Sequence, residues 1–600
     1  MINPTLSKRL VIAILSASAC LNSAALAQKK GDAPPRSSLC SRDNGLEMIE
    51  QQIAGSKTFD QSVPRIALLI RAADLLWPYR QDKARLAFTE SLDLAIQNFK
   101  EKGDEPGREG RLSVQVPDQR FTVIAAIAKR DPVWARKLSD HLLEENAKDA
   151  EDKATKDSRQ DAKAAEKLMN VAYSLLPSNP TEAVGFARNS LLHAATISVP
   201  IFLYRLWAAN RSLADQFYQD ALGAYANSPM DQFLYLSCYP FGNNREAGEM
   251  PTYMFYAVPE GFIPNPSLQR LFMQTLLRRA QQLVENPVEP IPGSRYSEAS
   301  QIWMALSRLE APVQASLPDL TAALQQAKGG VSALLSQKDQ QRVAQTLEEP
   351  PKRSFDERIE AALKQTDPGR RESGIALAIM SGSDAESLDH VVAAADKIDD
   401  SNLRAQVLSR LYFNRAQTAI KDKKLEEARR LAARVDELDQ RAYLYSQIVA
   451  DSIKQARNEF EIREILEEVV SATTKAPDTE VKARALLGVA FLYAQVDPNR
   501  SVAVLGDAVK SINRIESPDF SKDYVIKRIE GKEFGSYYTL MTPGFNPENA
   551  FREMGKLDFD GTLYQAGYFS NKPLRSMTTL ALVEPCLQKA PQTKGRNSKP

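Results

Sequence analysis

Apolar residues recur at three- and four-residue spacing through most of residues 60–585, the period of helices with one buried face. The first such pair covers 63–77 and 82–99. Pro78 stops one helix, Asp82 caps the next, and Trp77, Ala84 and Phe88 stand at core spacing. A second pair covers 120–129 and 131–145, joined by Asp131-Pro132, an N-cap followed by Pro at the first helical position. Asn179-Pro180 and Asp497-Pro498 repeat that device. Asn210 and Asn499 head formal glycosylation sequons with Ser212 and Ser501, yet both read as helix caps. Gly103 to Gly110 reads as a loop, and 144–167, mostly charge and Ala, as either a solvated helix or a mobile insertion.

One pattern occurs twice at a fixed distance. Ala395, Ile398, Asp399, Arg404 and Ala405 return as Ala432, Val435, Asp436, Arg441 and Ala442, an offset of 37. A third copy, Ala566, Phe569, Ser570, Arg575 and Ser576, keeps the rule near the C-terminus. Between the first two lies a full unit. Leu403, Val407, Leu408 and Leu411 form one helical face, continued by Ala416 and Ile420. Lys421 to Lys424 makes a charged turn, and a second helix from Leu425 turns Ala428, Leu431, Ala432 and Val435 inward. Small residues let the two axes approach closely, and a period in the thirties predicts stacked helical hairpins. The recurrent Arg has two readings: a row of cations for an acidic partner, or a structural contact. The structural one is expected, with the Arg reaching the Asp five residues before it or free carbonyls that end the preceding helix.

In period and alanine placement, residues 395–448 resemble the tetratricopeptide-type family of helical repeats. The family's Trp, Leu-Gly and Tyr signature is missing from the first helix, where Leu408, Leu411 and Tyr412 stand, so its groove residues do not transfer. The resemblance implies an all-α superhelix of antiparallel hairpins acting as a partner-binding scaffold; it implies no activity.

Pro-rich breaks divide the chain. Asn286 to Gly293 is the main boundary and Glu349-Pro-Pro-Lys352 a second. The expected layout is a signal peptide at 1–27 and a flexible lead-in at 28–43, then a helical-repeat lobe at 44–285. Linker and connecting helices follow at 286–353, a second repeat lobe at 354–588 and a disordered basic tail at 589–600. Two stretches depart from helix. Residues 524–541 predict a small β-hairpin from the runs Tyr524–Ile529 and Phe534–Met541. Residues 233–262 hold eight aromatics, Phe233, Tyr235, Tyr239, Phe241, Tyr253, Phe255, Tyr256 and Phe262, among eight Pro and Gly from 240 to 266. They read either as an aromatic binding surface, the candidate partner site, or as an irregular segment packed between helical layers.

Charge adds little: 77 basic and 76 acidic residues nearly cancel, against a dominant nucleic-acid footprint. The N-terminus changes the picture. Lys8-Arg9, the apolar run Leu10 to Ala19 and Ala25-Leu26-Ala27 before Gln28 predict an export signal, hence a periplasmic or extracellular chain. No other apolar run is long enough to span a bilayer. Cys20, after Ala17-Ser18-Ala19, offers the alternative of a lipid anchor, with Ala17 departing from the aliphatic residue such boxes carry. Cleavage at Ala27 leaves Cys40, Cys238 and Cys586, which permit one disulfide of open pairing and one thiol; Cys238 reads as a buried apolar residue.

No catalytic, cofactor or metal motif stands out. His141, His193 and His390 lie in separate helices, and no HExxH, GxSxG, P-loop or GxGxxG occurs. Export with a helical superhelix invites comparison with soluble lytic transglycosylases, and Glu533-Phe-Gly-Ser with Leu540-Met541 has a superficial likeness to their catalytic end. The order fails, since Phe534 follows the Glu and Thr539 and Thr542 flank Leu540-Met541. The reading is therefore an exported helical-repeat scaffold for a protein or peptide partner, without cofactor. The alternative is an α/α superhelical enzyme acting on an envelope or extracellular polymer. Facing acidic clusters would favour the enzyme, and an aromatic groove of mixed charge the scaffold.

Overall fold

The computed structural model describes residues 39–588 apart from 104–106, 110–111, 115–117, 152–157, 243–257, 289–295, 348–352, 384, 456–458, 521–523 and 542–544. The expected signal segment with Cys20 and the basic tail at 589–600 lie outside the described residues. The fold is a succession of helices packed in adjacent pairs, with a small antiparallel hairpin where the alternating pattern places one. Its described residues form two compact units: 88–350, and 39–87 together with those from 351 onward.

In the first unit the Asx-Pro devices act as the sequence predicts. The Trp134 amide donates to Asp131 Oδ1 at 3.0 Å, and the Glu182 amide to Asn179 Oδ1 at 3.2 Å. Each bond satisfies one of the amides a helix start leaves over. Asn210 caps helix Arg211–Tyr225 in the same way. The stretch read as a loop at 103–110 instead begins a minimal β-ribbon, Gly107–Glu109 pairing with Leu112–Val114. Runs of three residues are too short for period two to register in the sequence. The charged 144–167 stretch falls within helices Pro132–Glu151 and Ser158–Leu175, with 152–157 outside the described residues.

The second unit contains the 37-residue repeats. Helix Ser401–Lys421 pairs with Leu425–Ala432, and Leu438–Lys454 follows. Leu403, Val407, Leu411, Ala428, Ala432 and Val435 are buried as the pattern predicts. The turn at Lys421–Lys424 closes with Lys424 N–H on Ala419 O and Lys423 N–H on Ile420 O, a Schellman arrangement. Its left-handed residue is Lys423, at φ 63°, where glycine is usual. The Lys423 ammonium lies 2.7 Å from Asp451 Oδ2, a contact glycine could not make.

Residues 44–87, read from the sequence with the N-terminal lobe, belong to this second unit. Helices Arg42–Gly55 and Ser62–Leu76 pack on the last helix, Lys572–Leu587, through contacts no short-range pattern encodes. Gly45 faces Val583 and Leu587 so closely that a Cβ would stand 3.1 Å from Leu587. Glu584 accepts from Arg71 at 2.6 Å and from Arg552 at 2.9 Å, and the Tyr79 hydroxyl donates to Leu587 O. Cys40 and Cys586 are joined by a disulfide across 546 residues of chain, and Cys238 is a buried free thiol.

Strands Tyr524–Glu530 and Gly535–Met541 form the hairpin, Tyr524 opposite Met541. It docks on helix Ser401–Lys421. The Glu530 amide donates to Gln406 Oε1 at 3.0 Å, Gln406 Nε2 donates to Glu530 O, and the Arg410 guanidinium lies 3.6 Å from the Tyr538 ring centroid. From the first strand Lys527 enters the protein and meets Asp439 Oδ2 at 2.7 Å and Glu437 Oε2 at 2.6 Å, with Asp439 fully buried. Burial works against the Lys527 charge, but the two carboxylates outweigh it and hold the ammonium above the ordinary lysine range.

Two outcomes follow from these contacts. Cys40→Ser should lower stability by about 2–4 kcal/mol under oxidising conditions and abolish the response to reductant. Identical thermal unfolding of native and variant chains would remove the clasp from the account. Lys527→Met strands a buried carboxylate and should cost about 3–5 kcal/mol at neutral pH. Because the folded-state lysine pKa is raised, its contribution is full below the ordinary value of about 10.4 and fades as pH rises through the folded one. A denaturant-melt gap between native and variant that was flat across that range would contradict the assignment.

Candidate binding pockets in the C-terminal repeats

The recurrent Arg settles on the carbonyls, not on the Asp. Arg404 donates to Ile398 O at 3.3 Å; Arg441 donates to Val435 O at 2.9 Å and Asp436 O at 3.2 Å. These carbonyls lie just past helices Leu388–Ala395 and Leu425–Ala432, where the backbone has left its own ladder. Asp399 instead pairs with Arg371 at 2.7 Å. Ala395, Ala432 and Ala566 are all buried, and Ser570 Oγ donates to Asn513 Oδ1 while Arg575 is exposed, so the third copy keeps the packing positions without the carbonyl contact of its Arg.

Beside each Arg–carbonyl contact the surface opens into a pocket. One, of about 430 Å³, is lined by Ser401, Arg404, Ala405, Leu408, Ser409, Tyr412, Arg434 and Asp436. The other, of about 520 Å³, is lined by Ala433, Arg441, Tyr445, Glu464, Glu467, Glu468 and Ser471. Arg404 and Arg441, Leu408 and Tyr445, and Arg434 and Ser471 stand 37 apart, so the two are the same place in successive repeats. On helix Ser401–Lys421 the pocket residues Arg404, Leu408 and Tyr412 lie on one face, and Gln406 and Arg410, which hold the hairpin, on the other. The hairpin therefore leaves the pocket open.

The two pockets differ in chemistry. In the first, Arg434 lies over the Tyr412 ring at 5.5 Å, and Ser409, buried at 5% exposure, has a hydroxyl without a hydrogen-bond partner among the described residues. A buried hydroxyl left unsatisfied is costly. In the second, the glutamates are already held. Glu464 and Glu468 take Arg429, and Glu467 takes Arg500 at 2.9 Å and the Tyr493 hydroxyl at 2.8 Å. The Arg500 hydrogen bonds keep Glu467 below the usual carboxylate range. Burial and then the Glu468 charge push the Tyr445 hydroxyl up to about 12.

Of the aromatic segment at 233–262, five members are described, and they face the protein. Phe233 stacks on Phe272 at 5.1 Å, and Phe241 meets the edge of the same ring at 6.2 Å. Phe262 wedges among Tyr204, Trp207 and Tyr239 at 4.9–5.5 Å. The Tyr239 hydroxyl donates to Asp215 at 2.8 Å, and Tyr235 is half-buried. The described backbone from 230 to 241 runs as short helical turns, Met230–Phe233, Leu234–Ser237 and Cys238–Phe241, not as the departure from helix that its composition predicts. The hydroxyls of Tyr204 and Tyr218 donate to Cys238 O and Leu236 O, where these short turns leave carbonyls over. Burial pushes both hydroxyls well up. Tyr253, Phe255 and Tyr256 lie outside the described residues.

The histidines are dispersed. His193 contacts Asp161, His390 contacts Asp356 and Glu386, and His141 contacts Glu145. Among the described residues no three His, Cys, Asp or Glu side chains gather as a metal site, and no helix is long and apolar enough to cross a membrane. Glu533 sits exposed in the hairpin turn, 3.9 Å from Arg370. The pocket residues Arg434, Ser409 and Glu464 to Glu468 were not singled out in the sequence. Their only signal there is the 37-residue offset carried one step past the Arg.

The walls of both pockets depend on close helix approach at the repeat alanines. Ala432→Leu should overpack the hairpin and cost about 1–3 kcal/mol, read as a fall in the denaturation midpoint. An unchanged midpoint would place Ala432 away from any close helix contact.

Compared with known proteins, the chain matches no protein-family model and no curated protein. Among solved structures it is similar to a chain titled "Circular tandem repeat protein with novel repeat topology and enhanced subunit contact surfaces". Identity is 13%, coverage 90% of this chain and 97% of that one, and the TM-score 0.12, a likeness too slight to carry any argument about function.

Proposed function

We propose that this protein is an exported scaffold of degenerate tetratricopeptide-type repeats that holds an extended segment of a protein or peptide partner in successive interhelical pockets. The observation that carries the reading is the recurrence of one pocket at the same repeat positions, Arg404/Arg441, Leu408/Tyr445 and Arg434/Ser471. Equivalent pockets one repeat apart suit side chains spaced several residues apart on an extended chain, and their Tyr, Arg and Ser linings suit peptide side chains and backbone. Export is supported by the N-terminal signal pattern and by the Cys40–Cys586 disulfide, which persists in oxidising compartments. The enzyme alternative asks for a carboxyl free to act as an acid. The pocket glutamates are each tied to an arginine, and the Arg500 hydrogen bonds hold Glu467 as the anion, a poor proton donor.

Selection of a displayed random-peptide library on the purified protein tests the reading. Selected peptides should bind Arg434→Glu, a change at an exposed residue, at least about tenfold more weakly, or 1.4 kcal/mol. Equal affinity for both proteins would clear the first pocket, and failure to enrich any peptide would move weight to the enzyme class.

A further inference from the structure

The outer edge of the hairpin leaves backbone groups unpaired among the described residues. Gly531 N–H donates to Phe534 O at 2.8 Å across the two-residue turn Lys532-Glu533, and the register continues as Glu530 opposite Gly535 and Ile529 opposite Ser536. Hydrogen-bonded and non-bonded pairs alternate in an antiparallel ladder. Ser536, Tyr538 and Leu540 therefore turn their backbone groups toward the first strand. Gly535, Tyr537, Thr539 and Met541 turn theirs outward, and among the described residues these outward groups have no hydrogen-bond partner. The first strand's outer edge is treated differently: Gln406 bonds both backbone groups of Glu530.

Exposed strand edges in soluble proteins are usually defended by lysine, proline, a bulge or a cover. This strand, Gly-Ser-Tyr-Tyr-Thr-Leu-Met, carries none of these, and no charged residue occurs from Phe534 to Pro547 in a chain that is 26% charged. Tyr537 and Met541 are 51% and 54% exposed. An unguarded edge of strong β-formers is suited to pairing.

We infer that a second copy of this chain pairs with the Gly535–Met541 edge, antiparallel and about a two-fold axis through Tyr538. That register matches every outward group: Tyr537 faces Thr539 of the other copy and Gly535 faces Met541, both as hydrogen-bonded pairs. An aromatic opposite a β-branched residue is a favourable cross-strand pair. Gly535 has no atom within 4 Å of where a Cβ would stand, leaving room for the long Met541 side chain opposite. The absence of charge argues for the same conclusion, since an uncharged strand meets its own copy without repulsion and offers nothing to a charged guest. The two-fold keeps the exposed face of both hairpins on one side and joins them into a four-stranded sheet. This inference is independent of the pockets: the first lies on the opposite face of helix Ser401–Lys421, and neither is lined by a residue of the hairpin.

Light scattering and sedimentation of the purified protein, over a series reaching about 100 µM, read the mass directly. The native chain should reach twice the monomer mass. Thr539→Pro removes an outward N–H while leaving the inner ladder bonds, and should remain a monomer with unchanged circular dichroism. If that proline disturbs the hairpin, Tyr537→Lys with Thr539→Lys places like charges opposite one another and should give the same result. In the native chain, hydrogen exchange across 535–541 should slow as concentration rises. A native chain that stays monomeric over the series, including one that pairs this edge only with an added foreign peptide, overturns the inference. So does a dimer that survives the lysine pair.

Discussion

Short helices stacked in pairs multiply helix ends, and every end leaves backbone groups that the helix itself cannot satisfy. Much of this protein is an answer to that constraint. Asp131, Asn179, Asn210 and Asp497 take amides at helix starts. Arg404, Arg441 and Arg415 give guanidinium hydrogens to carbonyls at helix exits, Arg415 bonding Ser383 O and Glu386 O. Along the short helical turns at 234–241, tyrosine hydroxyls do the same task. Each pocket opens beside such a contact, one at Arg404 and the other, one repeat later, at Arg441.

A stack of repeats has a second problem, the uncovered face of its terminal helix. In the second unit the last helix, Lys572–Leu587, is covered by the first two helices of the described chain, with Gly45 permitting the close approach and Glu584 gathering two arginines. The disulfide pins this arrangement by shortening the excursions of the unfolded chain. The hairpin is pinned differently, through one buried lysine and two carboxylates, an interaction whose worth lies in specifying a register more than in net stability.

Two surfaces of different character result. The pockets present Tyr, Ser and Arg beside internally neutralised glutamates, a lining of mixed charge. The hairpin edge presents backbone alone. The first is suited to reading side chains of a guest, and the second to pairing with any strand of compatible register, which its own sequence supplies.

The helix positions, the Asx-Pro caps, the hairpin and the buried repeat alanines were legible in the sequence, because each rests on residues within one or two turns of one another. The 37-residue offset exposed the recurrent Arg, but not whether it meets Asp399 or Ile398 O, since both lie within its reach and only the backbone path separates them. For the aromatics at 233–262, composition leaned toward a packed segment but left a binding surface open. Rings such as Phe262 face inward because Tyr204 and Trp207, from a helix far earlier in the chain, stand there to receive them. Local periodicity and capping chemistry, then, were determined by the sequence itself. Tertiary structure alone decided the Cys40–Cys586 pairing, the return of the first helices to the last, the burial of Lys527 and the pocket walls. Each of those joins residues whose separation along the chain carries no trace of their distance in space.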